Sequence, residues 1–256
     1  MSAIRFEGVF KSLGGRHVLH DVNLDIQKGE TFVIVGSSGS GKSVTLKHMI
    51  RLLTPDEGRV LIGEDVISEA RGENLARIRD RFGVLFQSSA LLQWMTVVQN
   101  VALPLMEKKG LEEDKAFSLA RNRLALLNLE DAGDKYPSDL SGGMQKRVGL
   151  ARAIVTDPEI ILYDEPTSGL DPVTSRTIDA LIEDLRKRLG VTSVVVTHDL
   201  HSALAIASRI AVIHQGRILE VATPKEFLRS ENAVIRAFLE AQFITRSGEW
   251  ERMLKS

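Results

Sequence analysis

The sequence contains no cysteine in its 256 residues, which excludes a disulfide framework, a thiolate metal site and a cysteine nucleophile. This absence agrees with a reducing compartment, and we expect the cytosol. An excess of either charge is also missing, because 33 basic and 34 acidic side chains leave a net charge of -1. No global field favours nucleic acid or an anionic lipid surface, so we expect no nucleic-acid partner.

Long apolar runs are absent as well, since none approaches the roughly 18 residues that a membrane helix needs. Residues 1–7 show no basic-then-apolar signal pattern. We therefore expect any membrane association to be peripheral. The 43% apolar and 26% charged composition is typical of a globular chain that buries one sizeable core, and we predict a single domain over residues 1–256.

Short β-like runs alternate with turns in the first sixty residues, after which the periodicity changes twice. It is mostly helical from about residue 88 to 155, and strands and helices alternate again from residue 160. We predict an α/β core at 1–87 and 156–223, a helical subdomain at 88–155 and a C-terminal helical extension at 224–256. Predicted helices include 44–53, 112–129, 172–189, 224–229 and 232–243.

One apolar run, residues 160–163, leads directly into Asp164 and Glu165. Such a run suits a central strand covered on both faces, and the carboxyl end of that kind of strand is where open α/β sheets bind ligands. We interpret the two carboxylates as functional. The alternative is a pair of surface residues at a strand end.

A match to G-x-x-x-x-G-K-[ST] follows the apolar strand 31–35 and precedes a helix-like run. In such a loop the backbone N–H groups bind phosphate oxygens, Lys42 reaches the β- and γ-phosphates, and Ser43 ligates Mg²⁺. The predicted nucleotide-binding residues are Gly36, Ser37, Ser38, Gly39, Ser40, Gly41, Lys42 and Ser43. The alternative, a Gly/Ser-rich turn without function, leaves the order of strand, loop and helix unexplained.

The phosphate loop gives the two carboxylates separate predicted roles. Asp164 is predicted to help hold Mg²⁺, and Glu165 to orient or deprotonate the attacking water.

Four further motifs resemble those of ATP-binding cassette (ABC) ATPases, over about residues 4–230. They are the signature-like run 140–147, the Q-loop-like Gln87 after 82–86, the D-loop-like run 168–171 and the switch-like His198 after 194–197. The resemblance implies a P-loop NTPase core with an N-terminal antiparallel β subdomain and an inserted helical subdomain. It also implies ATP and Mg²⁺ as ligands.

In that family the signature of one subunit covers the γ-phosphate bound by the other. For this chain the resemblance therefore implies a head-to-tail homodimer in which Ser141, Gly142 and Gly143 contact the partner's ATP and Asp171 bridges to the partner. Ser141 read alone is also a common N-cap of a core helix.

The resemblance makes Glu165, His198 and Gln87 the catalytic candidates, with His198 contacting the γ-phosphate. The metal candidates are Ser43, Gln87 and Asp164, Gln87 linking Mg²⁺ and water to the helical subdomain. Without the resemblance, His198 reads as a strand-end cap and Gln87 as a solvated polar residue.

One position departs from the family pattern. An aromatic side chain that stacks on adenine is usual near the N-terminus, and Leu13 occupies that place. Leucine cannot stack as an aromatic ring does. Phe10 is close in sequence and is the alternative contact.

Among ABC ATPases the sequence is most similar to the ATPase subunit of Mla-type systems, which move phospholipid between Gram-negative membranes with MCE-domain proteins. The similar segments are residues 86–92, 100–105 and 140–147, the last with Met144 in place of the usual glutamine. Amino-acid importer and lipoprotein-release ATPases share much of the sequence of these segments and stay as alternatives. The implied location is the cytoplasmic face of the inner membrane of a Gram-negative bacterium.

The resemblance implies protein partners for two segments. The apolar segment 90–95 corresponds to the groove that receives a coupling helix of an integral-membrane permease, although a core cluster is the alternative. The C-terminal extension corresponds to one that reaches the partner ATPase and a small STAS-type regulatory subunit, with Phe238, Phe243 and Trp250 as anchors. A helix folded onto its own domain is the alternative there.

Two other classes of protein compete with a transporter subunit. A soluble ABC ATPase acting on DNA or ribosomes typically carries long coiled coils, zinc cysteines or two cassettes, and the sequence has none of these. A P-loop kinase or other small NTPase leaves the motifs at Ser141 and His198 unexplained.

Overall fold

The structure is a computed structural model and describes residues 1–242 and 244. The strands are β1 Ser2–Leu13, β2 Arg16–Gln27, β3 Thr31–Val35, β4 Glu57–Ile62, β5 Asp65–Val66, β6 Phe82–Leu85, β7 Ile160–Asp164, β8 Thr192–Thr197, β9 Arg209–His214 and β10 Arg217–Ala222. The α-helices are α1 Lys42–Met49, α2 Gly72–Arg79, α3 Val97–Lys109, α4 Glu113–Ala125, α5 Gly142–Ile154, α6 Pro172–Leu189, α7 Leu200–Ile206, α8 Pro224–Phe227 and α9 Ala233–Ala241.

The larger sheet has six strands in the order β10-β9-β3-β8-β7-β6. Strands β9, β3, β8, β7 and β6 run parallel, and β10 pairs antiparallel with β9 at the edge. Every residue of β3 and β8 is buried. Because both faces of a parallel sheet are covered, such strands consist of continuous apolar runs.

Alternate residues of β3 belong to two different cores. Val33 and Val35 pack with the helical segment and α6, whereas Phe32 and Ile34 pack with the smaller sheet and α1. This follows from the period of two along a strand. The larger sheet therefore separates the two cores. The edge at which its parallel strands have their carboxyl ends is accessible from both sides of the sheet.

The smaller sheet has the order β2-β1-β4-β5 and is antiparallel throughout. Helices α3, α4 and α5 lie between β6 and β7 in sequence and pack on one another. The predicted fold class, an α/β P-loop core with an antiparallel β subdomain and a helical insertion, is confirmed.

Helix α6 begins and ends where the sequence predicted, but other predicted helices are shorter. The helix predicted at 112–129 ends at Ala125, and Asn128 takes a left-handed φ of 54° that a helix cannot continue through. The helix predicted at 44–53 ends at Met49, and Arg51 has a φ of 51°.

The elements at the end of the chain also differ in length from the prediction. The helices predicted at 224–229 and 232–243 are observed as α8 and α9, each shorter at its C-terminal end. Phe243 and Trp250, predicted as anchors, lie outside the described residues. Within residues 1–242 and 244, no helix combines the length and apolar character needed to cross a membrane.

Candidate functional site

The phosphate loop connects β3 to α1 at the open edge of the larger sheet. Two of its glycines are required sterically, because a Cβ on Gly36 would lie 2.3 Å from the Ile213 carbonyl oxygen and Gly41 has a φ of 111°. Lys42 is buried, and its Nζ donates to the carbonyl oxygens of Gly36 at 2.8 Å and Ser37 at 3.1 Å. The loop thus curls around its own lysine.

This loop fits a phosphate group. The amino end of α1 carries the free N–H groups and positive partial charge that bind anions, and Lys42 adds a full charge beside them. In addition, the Ser40 hydroxyl is buried without a hydrogen-bond partner. A buried orphan hydroxyl inside a glycine-rich loop is chemically suited to a phosphate oxygen.

Ser43 and Asp164 fit a magnesium ion. Ser43 Oγ donates to Asp164 Oδ1 at 3.0 Å, which brings a hydroxyl and a carboxylate together beside the phosphate loop. Magnesium is usually held by one or two carboxylates together with substrate phosphates. Within residues 1–242 and 244, no group of three or more His, Asp or Glu side chains could hold a metal ion by itself.

Burial affects the ionisation of this acid. Desolvation raises the pKa of Asp164 above its ordinary value, and the hydrogen bond from Ser43 acts in the opposite direction.

Glu165 lies at the centre of the candidate site. Its Oε1 is 3.7 Å from Lys42 Nζ, and its Oε2 accepts from the backbone N–H of His198 at 3.3 Å and lies 2.8 Å from His198 Nδ1. Glu165 also has a φ of 49°, a left-handed conformation that is uncommon for a residue with a side chain. Such strain is typical of functional positions, where the surrounding structure holds one residue in place.

An open cavity of about 780 Å³ brings most of the predicted residues together. Its lining includes Leu13, Ser37, Ser38, Gly39, Gly41, Lys42, Ser43, Gln87, Glu165 and His198. Phe10, the suggested aromatic substitute, is not part of the lining. Phe238 of α9 is, so the aromatic ring in this cavity comes from the C-terminal extension.

Gln87 lines this cavity, and its amide nitrogen is hydrogen-bonded to the D-loop-like run. Its Nε2 donates to Ser168 Oγ at 3.3 Å, so the residue connects the end of β6 to the D-loop-like run. Its role as a ligand of Mg²⁺ stays a prediction.

The signature-like residues lie outside the cavity. Ser141 is exposed and caps α5, its Oγ accepting from the Met144 N–H at 3.3 Å, and Gly142 is exposed beside it. Gly143 is buried against α6, where a Cβ would lie 2.5 Å from Thr174 Cγ2. None of the three lines the cavity beside the phosphate loop of its own chain, which leaves them available to the loop of a second chain.

Asp171 is the N-cap of α6. Its Oδ1 accepts from the backbone N–H groups of Val173 and Thr174, both at 3.0 Å. The hydrogen bond from the Thr174 side chain, with these backbone bonds, lowers the pKa of Asp171 below its ordinary value.

Two residues at the site had no role in the sequence prediction. Lys146 of α5 is buried, and its Nζ donates to the carbonyl oxygens of Gln87 and Glu165, the second at 3.3 Å. Burial lowers the pKa of Lys146, opposed by the charges of Asp164 and Glu165. The other residue is Gln242, which lines the cavity from the end of α9. Lys146 lies within the signature-like run 140–147, but the resemblance assigned it no role, and Gln242 belongs to no motif.

Known proteins that are similar to this chain include ATP-binding proteins of transporters. The family model described as "ABC transporter" matches residues 19–168. The "Probable ribonucleotide transport ATP-binding protein mkl" of Mycobacterium leprae is 40% identical over 242 residues, covering 94% of this chain and 70% of that protein. The "Methionine import ATP-binding protein MetN" of Xanthomonas euvesicatoria is 38% identical over 247 residues, covering 94% and 73%.

Two solved structures are also similar. One is the dimeric ATP-binding cassette MJ0796 in a post-hydrolysis state with ADP and Pi, with a TM-score of 0.78, 34% identity and coverage of 86% of this chain and 98% of that one. The other is cbiO1 from Clostridium perfringens, part of the ABC transporter complex cbiONQ, with a TM-score of 0.82, 30% identity and coverage of 93% and 95%.

Proposed function

Because the chain belongs to the ABC transporter family of ATP-binding proteins, we propose that it powers a membrane permease as a head-to-tail dimer with two ATP molecules at the interface. It is an ATPase that uses ATP with Mg²⁺. The dimer is proposed because Ser141 does not line the cavity that Lys42 and Glu165 line. A site whose cover lies elsewhere on the same chain needs a second chain, and the similar cassette MJ0796 is dimeric.

The proposed chemistry uses groups that already face one another. Lys42 and the loop N–H groups bind and orient the phosphates, and Ser43 and Asp164 would hold Mg²⁺, with Gln87 as the further predicted ligand. A magnesium ion held there would supply positive charge to neutralise the phosphate oxygens. Glu165 takes the proton of the attacking water, and His198, in contact with Glu165, orients that water against the γ-phosphate.

A rigid loop carries the proposed docking site for the permease. Trp94 is 74% exposed, whereas Leu91 in the same segment is buried. The buried Asn100 side chain fixes the loop, donating to the carbonyl oxygens of Leu92, Met95 and Thr96 at 3.0–3.1 Å. An exposed tryptophan on a backbone held in this way is a preorganised anchor for a partner helix.

The proposed cargo is phospholipid, moved with an Mla-type permease, an MCE-domain protein and a small STAS-type subunit at the inner membrane of a Gram-negative bacterium. Phospholipid is proposed because the sequence of residues 140–147, including Met144, is similar to that of Mla-type ATPases. Import of a small solute is the second candidate, because methionine-import ATP-binding proteins are 38–44% identical to this chain.

The experiment is isolation of the tagged chain from its native membranes in mild detergent. We expect a permease to co-purify, with an MCE-domain protein and phospholipid identified by mass spectrometry. A permease accompanied by a periplasmic solute-binding protein and no enriched lipid would replace phospholipid by a small solute. Recovery of the chain without any membrane subunit would contradict the transport proposal itself.

A further inference from the structure

The end of α9 is hydrogen-bonded to the turn that carries His198. Gln242 Nε2 donates to the His198 carbonyl oxygen at 2.7 Å, and Gln242 Oε1 accepts from the Leu200 N–H at 2.9 Å. The Gln242 carbonyl oxygen lies 3.3 Å from His201 Nε2. Gln242 lies more than forty positions beyond this turn in the sequence and contacts three of its residues, His198, Leu200 and His201.

The turn needs such a partner. Leu200 is the first residue of α7, and the first N–H groups of a helix have no partner within the helix. The Asp199 side chain caps the next two N–H groups, those of His201 and Ser202, and leaves that of Leu200. An amide side chain both accepts and donates, so Gln242 satisfies the Leu200 N–H and the His198 carbonyl together.

Gln242 is itself held firmly. Leu239 before it is 6% exposed and Ile244 after it is 3% exposed, and both belong to the core beneath the helical segment. The Ile244 N–H donates to the Leu239 carbonyl oxygen at 3.0 Å, which closes the chain around Gln242. The amide is therefore presented from a buried support, whereas 62% of the His198 side chain is exposed.

We propose that Gln242 is a positioning residue for ATP hydrolysis, which sets His198 against Glu165 by fixing the backbone on both sides of Asp199. The amide does not touch the reacting atoms and acts through the turn. Loss of its two hydrogen bonds leaves the His198 carbonyl oxygen and the Leu200 N–H without this partner. The turn can then shift, and the 2.8 Å contact between His198 Nδ1 and Glu165 Oε2 lengthens. The proposal rests on the assigned role of His198 and is independent of the cargo.

The test compares Gln242→Met with Glu240→Met in the full chain. Methionine keeps the length of the side chain without its hydrogen bonds, and Glu240 is an exposed residue of the same helix whose ion pair is with Arg236. We expect kcat to fall about tenfold for Gln242→Met, with KM for ATP within twofold, and to be unchanged for Glu240→Met. Gln242→Glu keeps an acceptor for Leu200 but no donor for His198, and we expect a smaller loss in the same direction.

Two readouts separate positioning from a general structural effect. In the His198→Ala background, Gln242→Met should cause no further loss, because its effect passes through that ring. The NMR signals of the His198 ring, assigned from the His198→Ala spectrum, should shift in Gln242→Met and not in Glu240→Met. An unchanged kcat, an additional loss in the His198→Ala background, or unmoved ring signals would each overturn the proposal.

Discussion

His198 Nδ1 lies 2.8 Å from Glu165 Oε2, so the residues that directly follow the neighbouring parallel strands β7 and β8 are in contact. The other carboxylate oxygen of Glu165 faces Lys42 at 3.7 Å. Each oxygen thus has its own basic neighbour, which fixes the plane of the carboxylate. Orientation of the carboxylate is what a base acting on a single water requires.

Replacing Glu165 by glutamine should abolish most turnover and leave ATP binding intact. The amide keeps hydrogen-bonding capacity but cannot take a proton, so we expect hydrolysis to fall by about 100-fold or more. Steady-state hydrolysis and gel filtration with ATP measure the two effects, and the variant should accumulate as a nucleotide-bound dimer. Glu159→Gln, at the exposed start of the same strand region, is the control. Hydrolysis at the wild-type rate would refute the role of Glu165 as base.

The substitution Ser141→Arg should prevent hydrolysis without weakening the binding of ATP by the monomer. A large cation at this exposed helix start blocks the surface that covers a second chain's nucleotide, while the cavity of its own chain is untouched. Nucleotide binding by a filter assay and ATP-dependent dimer formation by light scattering distinguish the two. Ser118→Arg, on the exposed side of α4, should behave as wild type. If the monomer of Ser141→Arg fails to bind ATP, Ser141 is a structural cap.

Lys146→Met should lower kcat about tenfold and reduce stability. The substitution leaves the Gln87 carbonyl oxygen without this donor, whereas the Glu165 carbonyl oxygen keeps the Ser168 N–H as a donor. Loss of the donor to a buried acceptor costs about 1–3 kcal/mol. Chemical denaturation gives the stability, and ATP titration should give an unchanged affinity because Lys146 does not line the cavity. The exposed Lys115→Met is the matched control. Retention of full kcat would show that this contact between α5 and the strand ends serves stability alone.

Asp179 should make stability fall as the pH rises from about 4 to 6. The residue is 3% exposed, and burial raises the pKa of its carboxyl to about 6 from 3.8, with Ser202, Arg176 and Asp199 as the neighbouring groups. Below pH 3.8 the folded and unfolded states are both protonated. Between the two pKa values the folded state holds the extra proton, so each rise in pH favours unfolding until the window ends.

The variant Asp179→Asn should lack this dependence. We expect its Tm to exceed that of the wild type by about 5 °C at pH 7 and to converge with it near pH 4. Thermal scans at matched ionic strength measure the difference. Parallel Tm curves for the two proteins across this range would show that Asp179 does not titrate there.

Trp94→Ala should weaken the association with the permease and leave hydrolysis by the isolated chain unchanged. The indole is exposed and its loop is held by Asn100, so its loss does not disturb the fold. Co-purification from membranes measures the association. Leu119→Ala, which removes a partly exposed apolar side chain on α4, is the control, and equal recovery of permease with both variants would place docking elsewhere.

The phosphate loop and the carboxylate strand could be predicted because their chemistry is contiguous in sequence. Each is a short apolar strand followed at once by the reactive residues, and parallel strands bring such ends to one edge. Helix α6 was similarly predictable from Asp171 and Pro172 at its start and Gly190 at its end. In these cases the local pattern and the fold require the same residues.

The contributions of Phe238, Gln242 and Lys146 could not be predicted in this way. Each reaches the site from an element whose direction is set by packing, and a glutamine at the end of an amphipathic helix carries no motif. Helix α2 was missed because it is short and carries Glu73, Arg77 and Arg79 among its eight residues. The edge strand β10 was missed because only Ala222 of its six residues is buried. Only the packed structure shows which of several polar residues lies over the open edge of the sheet.

The close packing of Gly143 on Thr174 has a consequence for the timing of the two hydrolysis events in the proposed dimer. Helix α5 would present its start to the partner's ATP, while α6 follows the strand that serves this chain's own ATP. Because a Cβ could not fit between them, the two helices are in close contact, and a shift of either would displace the other. Binding of ATP at one site would thus affect the affinity of the other site for ATP. The rate of ATP hydrolysis should depend on ATP concentration with a Hill coefficient above one.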